Sequence, residues 1–245
     1  MKLNVGLIGK GKWGSILKSK LSEIANLKFV LGKNKNYLDF IRDNKLSWIF
    51  VASPNNTHFE IVKNCLNLRV NVFCEKPLST NYLEAEKLIK IAQQNKVKLY
   101  VSDIYSFHNK KPKKLLLINR IIRSKKIVVN DNEFYYRFMY HDISILFNFL
   151  KNYNIKRVDL KRFIKKKLFR INIQFKNNKF FLFEYCLNKK IKEHYINDIN
   201  FITKKDILKK MLRSIIYGKV NIKANNRKAL FILKFLDKIK KYSKI

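Results

Sequence analysis

The chain has 245 residues, 47% of them hydrophobic, which suffices for one large domain or two modest ones with a core. Its net charge of +37 sits mostly after residue 105 and accompanies abundant Lys, Asn, Ile and Phe. That pattern reads as compositional bias, so no specific nucleic-acid partner is expected, while a basic second half also suits an anionic substrate. No apolar run reaches bilayer length, and Cys65, Cys74 and Cys186 fit neither a zinc spacing nor a disulfide framework; a membrane-spanning chain and a disulfide scaffold are both excluded, and buried thiols in a reducing cytoplasm are expected.

The run Leu3–Ile8 reads as a first strand. It lies so close to residue 1 that no signal or transit segment is expected ahead of it. Gly9, Gly11 and Gly14 follow as G-x-G-x-x-G, before a helical pattern from Trp13 to Leu17. Strand, glycine loop and helix in that order fit a dinucleotide site: the first Gly for the tight turn, the second for close approach of a pyrophosphate, the third for helix–strand packing. Four of the six glycines fall at positions 6, 9, 11 and 14.

Further short apolar runs lie at Leu27–Leu31, Trp48–Ala52, Val70–Cys74 and Val97–Val101. Between them, helical spacing recurs at Phe59, Val62 and Leu66, and again at Leu83, Leu88, Ile91 and Ala92, with Thr80 or Asn81 as the cap. Alternation of this kind predicts a doubly wound parallel sheet of the Rossmann type, with ligands at the carboxyl ends of its strands. The pattern changes after residue 105. A helix is expected over Lys113–Ile122 and another from His141, then consecutive antiparallel strands at 155–163, 168–175, 180–187 and 191–196. Helices over 204–217 and 226–242 close the chain. The expected fold is therefore α/β: a Rossmann domain over residues 1–105 and a smaller α+β domain over 106–245, with an open, mostly antiparallel sheet.

Two clusters fall at strand carboxyl ends: Ser53-Pro54-Asn55 with His58, and Cys74-Glu75-Lys76-Pro77. A third, Tyr140-His141-Asp142, opens the helix expected there. With the glycine loop Gly9-Lys10-Gly11-Lys12-Trp13-Gly14, the ordered set resembles the Gfo/Idh/MocA oxidoreductases over nearly the whole chain. Within that family it is most similar to members acting on sugars or nucleotide-sugars in surface-polysaccharide pathways.

The resemblance implies hydride transfer between NAD or NADP and a sugar or nucleotide-sugar. Its implied catalytic pair is Lys76, stabilising developing alkoxide, and His141, exchanging the hydroxyl proton. Its implied cofactor-contacting residues are Gly9, Gly11, Lys12, Trp13, Gly14, Lys33, Ser53, Pro54, Asn55, His58, Glu75 and Lys76, with Pro77 shaping its turn, where a cis or a trans bond is open. No metal is implied. Two departures stand out. Arg137 occupies the place of the Asp in the family's D-x-x-x-H pattern, with Asp131 and Glu133 nearby but out of register. After the second strand, Gly32-Lys33-Asn34-Lys35 replaces the usual carboxylate; Lys33 and Lys35 could accept a 2′-phosphate, which tilts the expectation toward NADP. Arg137 and the short second domain leave a catalytically degenerate, dinucleotide-binding or interaction protein as the alternative. The resemblance also implies a homo-oligomer through the second sheet, with the alternating Phe181, Phe183, Tyr185 and Leu187 as its apolar face.

Overall fold

The computed structural model describes residues 2–32, 36–108, 117–123, 134–150, 154–163, 168–177, 179–188, 193–197, 199–201 and 205–242. They group into two compact units, Met1–Phe107 with Lys205–Leu233, and His108–Lys204 with Lys234–Ile245.

In the first unit, strands β1 (Asn4–Ile8), β2 (Asn26–Leu31), β3 (Trp48–Val51), β4 (Asn71–Cys74) and β5 (Leu99–Val101) form a parallel sheet in the order β2-β1-β3-β4-β5. The central strands are covered on both faces, which is why they read as unbroken apolar runs. Val5, Leu7, Trp48, Phe50, Phe73 and Tyr100 form one buried layer with Leu17, Leu21 and Ile24 of helix α1 (Lys12–Ile24). Helices α2 (Tyr37–Asp43), α3 (His58–Asn67) and α4 (Tyr82–Gln94) complete this unit's strand–helix alternation, with α3 packed on β3, β4 and α4. Asn81 caps α4 by accepting from Leu83 N (2.8 Å) and Glu84 N (3.4 Å). Of the apolar face read from the sequence, Leu88 and Ala92 are buried, together with Ala85 and Ile89, while Leu83 is 69% exposed.

The division of the chain differs from the expected cut at residue 105. Helix α6 (Lys205–Ile216), assigned by its place in the sequence to the second domain, groups with the first unit. Its amphipathic face buries Leu208, Met211, Leu212 and Ile215 in the same layer as α1, and each buried side chain of this size contributes about 1.5–3 kcal/mol. Helix α7 (Ile222–Tyr242) follows, and its Asn225 completes the edge of the sheet. The Asn225 amide donates to Val101 O (2.9 Å) and accepts from Val101 N (2.8 Å), standing in for a further strand beside β5.

The second unit has a six-stranded sheet in the order β11-β10-β6-β9-β8-β7, built from β6 (Leu117–Arg123), β7 (Ile155–Phe163), β8 (Leu168–Phe175), β9 (Phe180–Asn188), β10 (Glu193–Ile196) and β11 (Ile199–Asn200). The helix expected over Lys113–Ile122 is corrected: residues 113–116 lie outside the described residues, and from Leu117 the chain is strand β6, antiparallel to β10 and parallel to β9. The run β7-β8-β9 is consecutive and antiparallel as expected, but β6 separates β9 from β10, so the sheet is mixed.

The apolar alternation of β9 faces inward. Phe181, Phe183 and Tyr185 are at most 4% exposed, and Phe134 and Phe175 pack against them. The other side of the sheet carries polar residues, including the pair Arg170–Glu184. An oligomer contact through the Phe181–Tyr185 side is therefore corrected: that face is used by the unit's own core. The side chain of Leu187 lies outside the described residues.

Candidate functional site

The site is built from strand ends. Gly9 follows β1 with φ +128°, a conformation open to glycine, and its N–H donates to Leu31 O at 2.8 Å. A side chain at Gly14 would stand 2.0 Å from Gly9 O, so the loop and α1 touch through backbone. Gly11 differs: a Cβ there meets nothing within 4 Å. It caps α1 with no side-chain hydrogen bond, and the helix has no acidic residue in its first turn. The first N–H groups of α1, which have no intrahelical acceptor, thus begin beside a bare, uncrowded backbone, which suits a pyrophosphate. Lys12 and Trp13, on that first turn, are exposed. β1 lies between β2 and β3, so the loop sits at the point where the strand order reverses, the usual ligand crevice of such sheets. The residues present fit a dinucleotide.

Ser53, Pro54 and Asn55 extend from β3, the strand next to β1. Thr57 Oγ1 donates within this loop, with Ser53 Oγ and Pro54 O each 2.7 Å away. Glu75-Lys76-Pro77 extends from β4, the strand next to β3, and the Lys76–Pro77 peptide is cis. Glu75 is buried; its carboxylate accepts from Lys76 N at 3.3 Å and from the Ser102 side chain at the end of β5. Burial raises the Glu75 pKa above the usual carboxylate value, opposed by the nearby Lys76 charge and the Ser102 hydrogen bond.

The ring of His58 is 0% exposed, with Nδ1 2.7 Å from Pro77 O and Nε2 3.0 Å from Ser53 O. The expectation of direct cofactor contact by His58 is corrected, because both ring nitrogens face backbone carbonyls and the ring has no open side. Burial lowers its pKa, against the two carbonyls. The structure thus brings Gly9, Gly11, Gly14, Ser53, Pro54, Asn55, Glu75 and Lys76 to the carboxyl ends of three adjacent strands, β1, β3 and β4. Lys33 and Lys35 lie outside the described residues.

His141 and Asp142 are in the second unit, on helix α5 (Tyr140–Leu150). The α-helix opens there as expected, but a π-helical turn, Phe134–Met139, leads into it, a form frequent at functional sites. Arg137 lies in that turn, exposed, with its guanidinium over the Phe138 ring at 5.3 Å. Asp142 is fully buried, accepting from Tyr185 Oη (2.8 Å), with His194 Nε2 2.5 Å from its other oxygen. Sequence reading passed over His194 because it has no motif around it, and its partner is distant in the chain.

Ser102, Asp103 and Ser106 were also missed. Asp103 pairs with Lys228 of α7 at 2.6 Å, and Lys228 donates to Ser106 at 3.0 Å. The rule that ligands gather at strand ends points to this stretch just past β5, while Lys228 carries no sequence signal. Cys65 and Cys74 are buried, and burial pushes the Cys65 thiol up to about 12; Cys186 is only half-buried, against the expectation of three buried thiols.

Residues 15–103 match the model of the Gfo/Idh/MocA oxidoreductase family, described as an NAD-binding Rossmann fold. The first unit has the Rossmann topology that this description names, and residues 15–103 are what is similar to that family. Myo-inositol 2-dehydrogenase of Thermotoga maritima is 31% identical over 117 residues, 40% of this chain and 35% of that protein. The rhizopine catabolism protein MocA of Rhizobium meliloti is 26% identical over 117 residues, 41% of this chain and 37% of that protein. The matched segment thus spans little more than a third of these curated relatives. Among solved structures, the UDP-N-acetylglucosamine 3-dehydrogenase GnnA of Acidithiobacillus ferrooxidans superposes with a TM-score of 0.78 at 13% identity, covering 99% of this chain and 98% of that one. The scyllo-inositol dehydrogenase of Lactobacillus casei, with bound NAD(H) and scyllo-inositol, gives 0.76 at 12% identity, covering 100% and 97%. These likenesses show the fold along the whole chain. Among the described residues no helix is long and apolar enough to cross a membrane.

Proposed function

We propose that the chain is an NAD- or NADP-dependent oxidoreductase acting on a hydroxyl-bearing carbon of a sugar or nucleotide-sugar. The observation that carries this reading is the half-buried Lys76, on a cis-proline turn two strands from an open glycine cradle. The dehydrogenase names of the relatives support the same reaction class. Gly9, Gly11 and Gly14 with Lys12 and the α1 N-terminus would hold the pyrophosphate, and Trp13, Ser53, Pro54 and Asn55 would line the rest of the cofactor. Bound nicotinamide supplies the hydride acceptor or donor. The Lys76 ammonium orients the substrate hydroxyl and stabilises negative charge developing on its oxygen. A ring nitrogen of His141 takes the hydroxyl proton during oxidation and returns it during reduction. Glu75 shapes the turn that presents Lys76.

The basic character of the chain favours an anionic substrate, and a nucleotide-sugar meets that description. Turnover of a nucleotide-sugar panel with NAD and NADP tests the reading. Lys76→Ala is expected to lower kcat about 10²–10³-fold with NADH affinity retained. Saturable cofactor binding with no turnover across the panel would instead favour the degenerate, dinucleotide-binding reading, which Arg137 in place of the family's Asp motivates.

A further inference from the structure

Strands β3 and β4 run side by side, paired up to Val51 and Cys74, and the Glu75 N–H extends the ladder by one bond to Val51 O at 2.8 Å. Beyond that bond the two chains leave as separate loops, one carrying Ser53-Pro54-Asn55, the other Lys76-Pro77. The imidazole of His58 spans them, within hydrogen-bond distance of Ser53 O on one loop and Pro77 O on the other. Its backbone belongs to the first turn of α3, and its neighbour Thr57 is tied to Ser53 and Pro54. The ring is therefore held by helix α3 within hydrogen-bond reach of both the β3 loop and the β4 loop.

A fully buried imidazole needs a reason, since an apolar residue would fill the same volume without desolvating two ring nitrogens. Carbonyl oxygens only accept, so a neutral ring donates to one of them and a protonated ring to both. In either form at least one loop is hydrogen-bonded to a ring held in place by helix α3.

We infer that His58 is a positioning residue for Lys76, fixing the Lys76–Pro77 turn to helix α3 through the Pro77 carbonyl, the nearer of its two partners at 2.7 Å. The inference rests on the reading that Lys76 acts on the substrate. Removing the ring's hydrogen bonds while keeping its bulk should let the turn shift by a fraction of an ångström to an ångström. Misplacement of that order costs about 10- to 100-fold in rate. The effect should fall on kcat and on Lys76, while cofactor affinity, set mainly by the glycine loop, stays near its parent value.

The test compares His58→Gln, which keeps a donor, with His58→Leu, which does not. Four quantities are measured: thermal midpoint, NADH dissociation constant, kcat with KM, and the reductive-methylation rate of Lys76 followed by mass spectrometry. The expected result is faster Lys76 labelling and lower kcat in His58→Leu, partial recovery in His58→Gln, and an NADH dissociation constant within about threefold of the parent. Unchanged Lys76 labelling in a folded variant would overturn the inference. So would a loss confined to NADH affinity, which would return His58 to the cofactor. Should His58→Leu fail to fold, His58→Gln carries the same comparison. A Lys76→Ala variant with full turnover would overturn the proposed function, while the labelling rate would still decide the positioning role.

Discussion

Two glycines of one loop should respond to substitution in opposite ways. In Gly14→Ala the new Cβ would lie 2.0 Å from Gly9 O and 2.6 Å from Gly9 C, both backbone atoms that cannot swing aside. Relief requires α1 to move away from the loop by more than about 1 Å, and overpacking of this kind costs about 1–3 kcal/mol. At about 2–4 °C per kcal/mol for a chain of this size, the melting midpoint should fall about 2–12 °C. In Gly11→Val the new side chain enters open space, and the backbone there (φ −70°, ψ −173°) suits any L-residue. The fold should lose no more than about 1 kcal/mol, the scale of a change at a helix cap. The same side chain would occupy the place where a pyrophosphate meets the α1 amides. Losing one charge-assisted hydrogen bond there removes about 1.5–3 kcal/mol, so NADH affinity should drop about 10- to 100-fold. Thermal melts and fluorescence titration with NADH and NADPH on both variants check the pair. Gly11→Val binding cofactor as tightly as the parent would refute the cradle, and Gly14→Ala melting with the parent would refute the steric argument.

Asn225→Ala should lower the urea midpoint by the equivalent of about 1–3 kcal/mol, because both backbone groups of Val101 lose their partner at the sheet edge; unchanged amide exchange at Val101 would count against this. His194→Phe should destabilise the second unit by about 3–5 kcal/mol by leaving Asp142 buried beside an apolar ring, and pairing it with Asp142→Asn should recover part of the loss in a double-mutant cycle. Burial raises Glu75 above its ordinary pKa of 4.5. Between the ordinary and the raised value the folded chain holds a proton that the unfolded chain has released, so stability falls as pH rises through that window. Glu75→Gln should flatten this part of the stability curve, and parallel parent and variant curves as the pH rises from 4.5 would refute the assignment.

What the sequence determined by itself is local. Gly9 to Gly14 between a strand and a helix, Asn81 ahead of Leu83 and Glu84, and Pro77 after Lys76 are all set by backbone chemistry over a few residues. The strands β1, β3, β4 and β5 were legible because near-complete burial leaves unbroken apolar runs, whereas edge strand β2 is mostly part-exposed and interrupted by Lys28. What only tertiary structure decided depends on residues far apart in the chain. In the stretch from Leu117 to Arg123, Leu117, Ile118, Ile121 and Ile122 recur at a spacing that suits a helix. It is a strand because β9 and β10 supply hydrogen-bond partners on both sides. Helix α6 announces its apolar face in its periodicity but not which layer that face joins. The alternation in β9 signals a strand with one apolar side, and only the packing of Phe134 and Phe175 shows that this side is interior. His58, Lys228 and His194 look isolated as letters. Their partners, Pro77, Asp103 and Asp142, lie 19, 125 and 52 positions away, and folding alone brings each pair within hydrogen-bond reach.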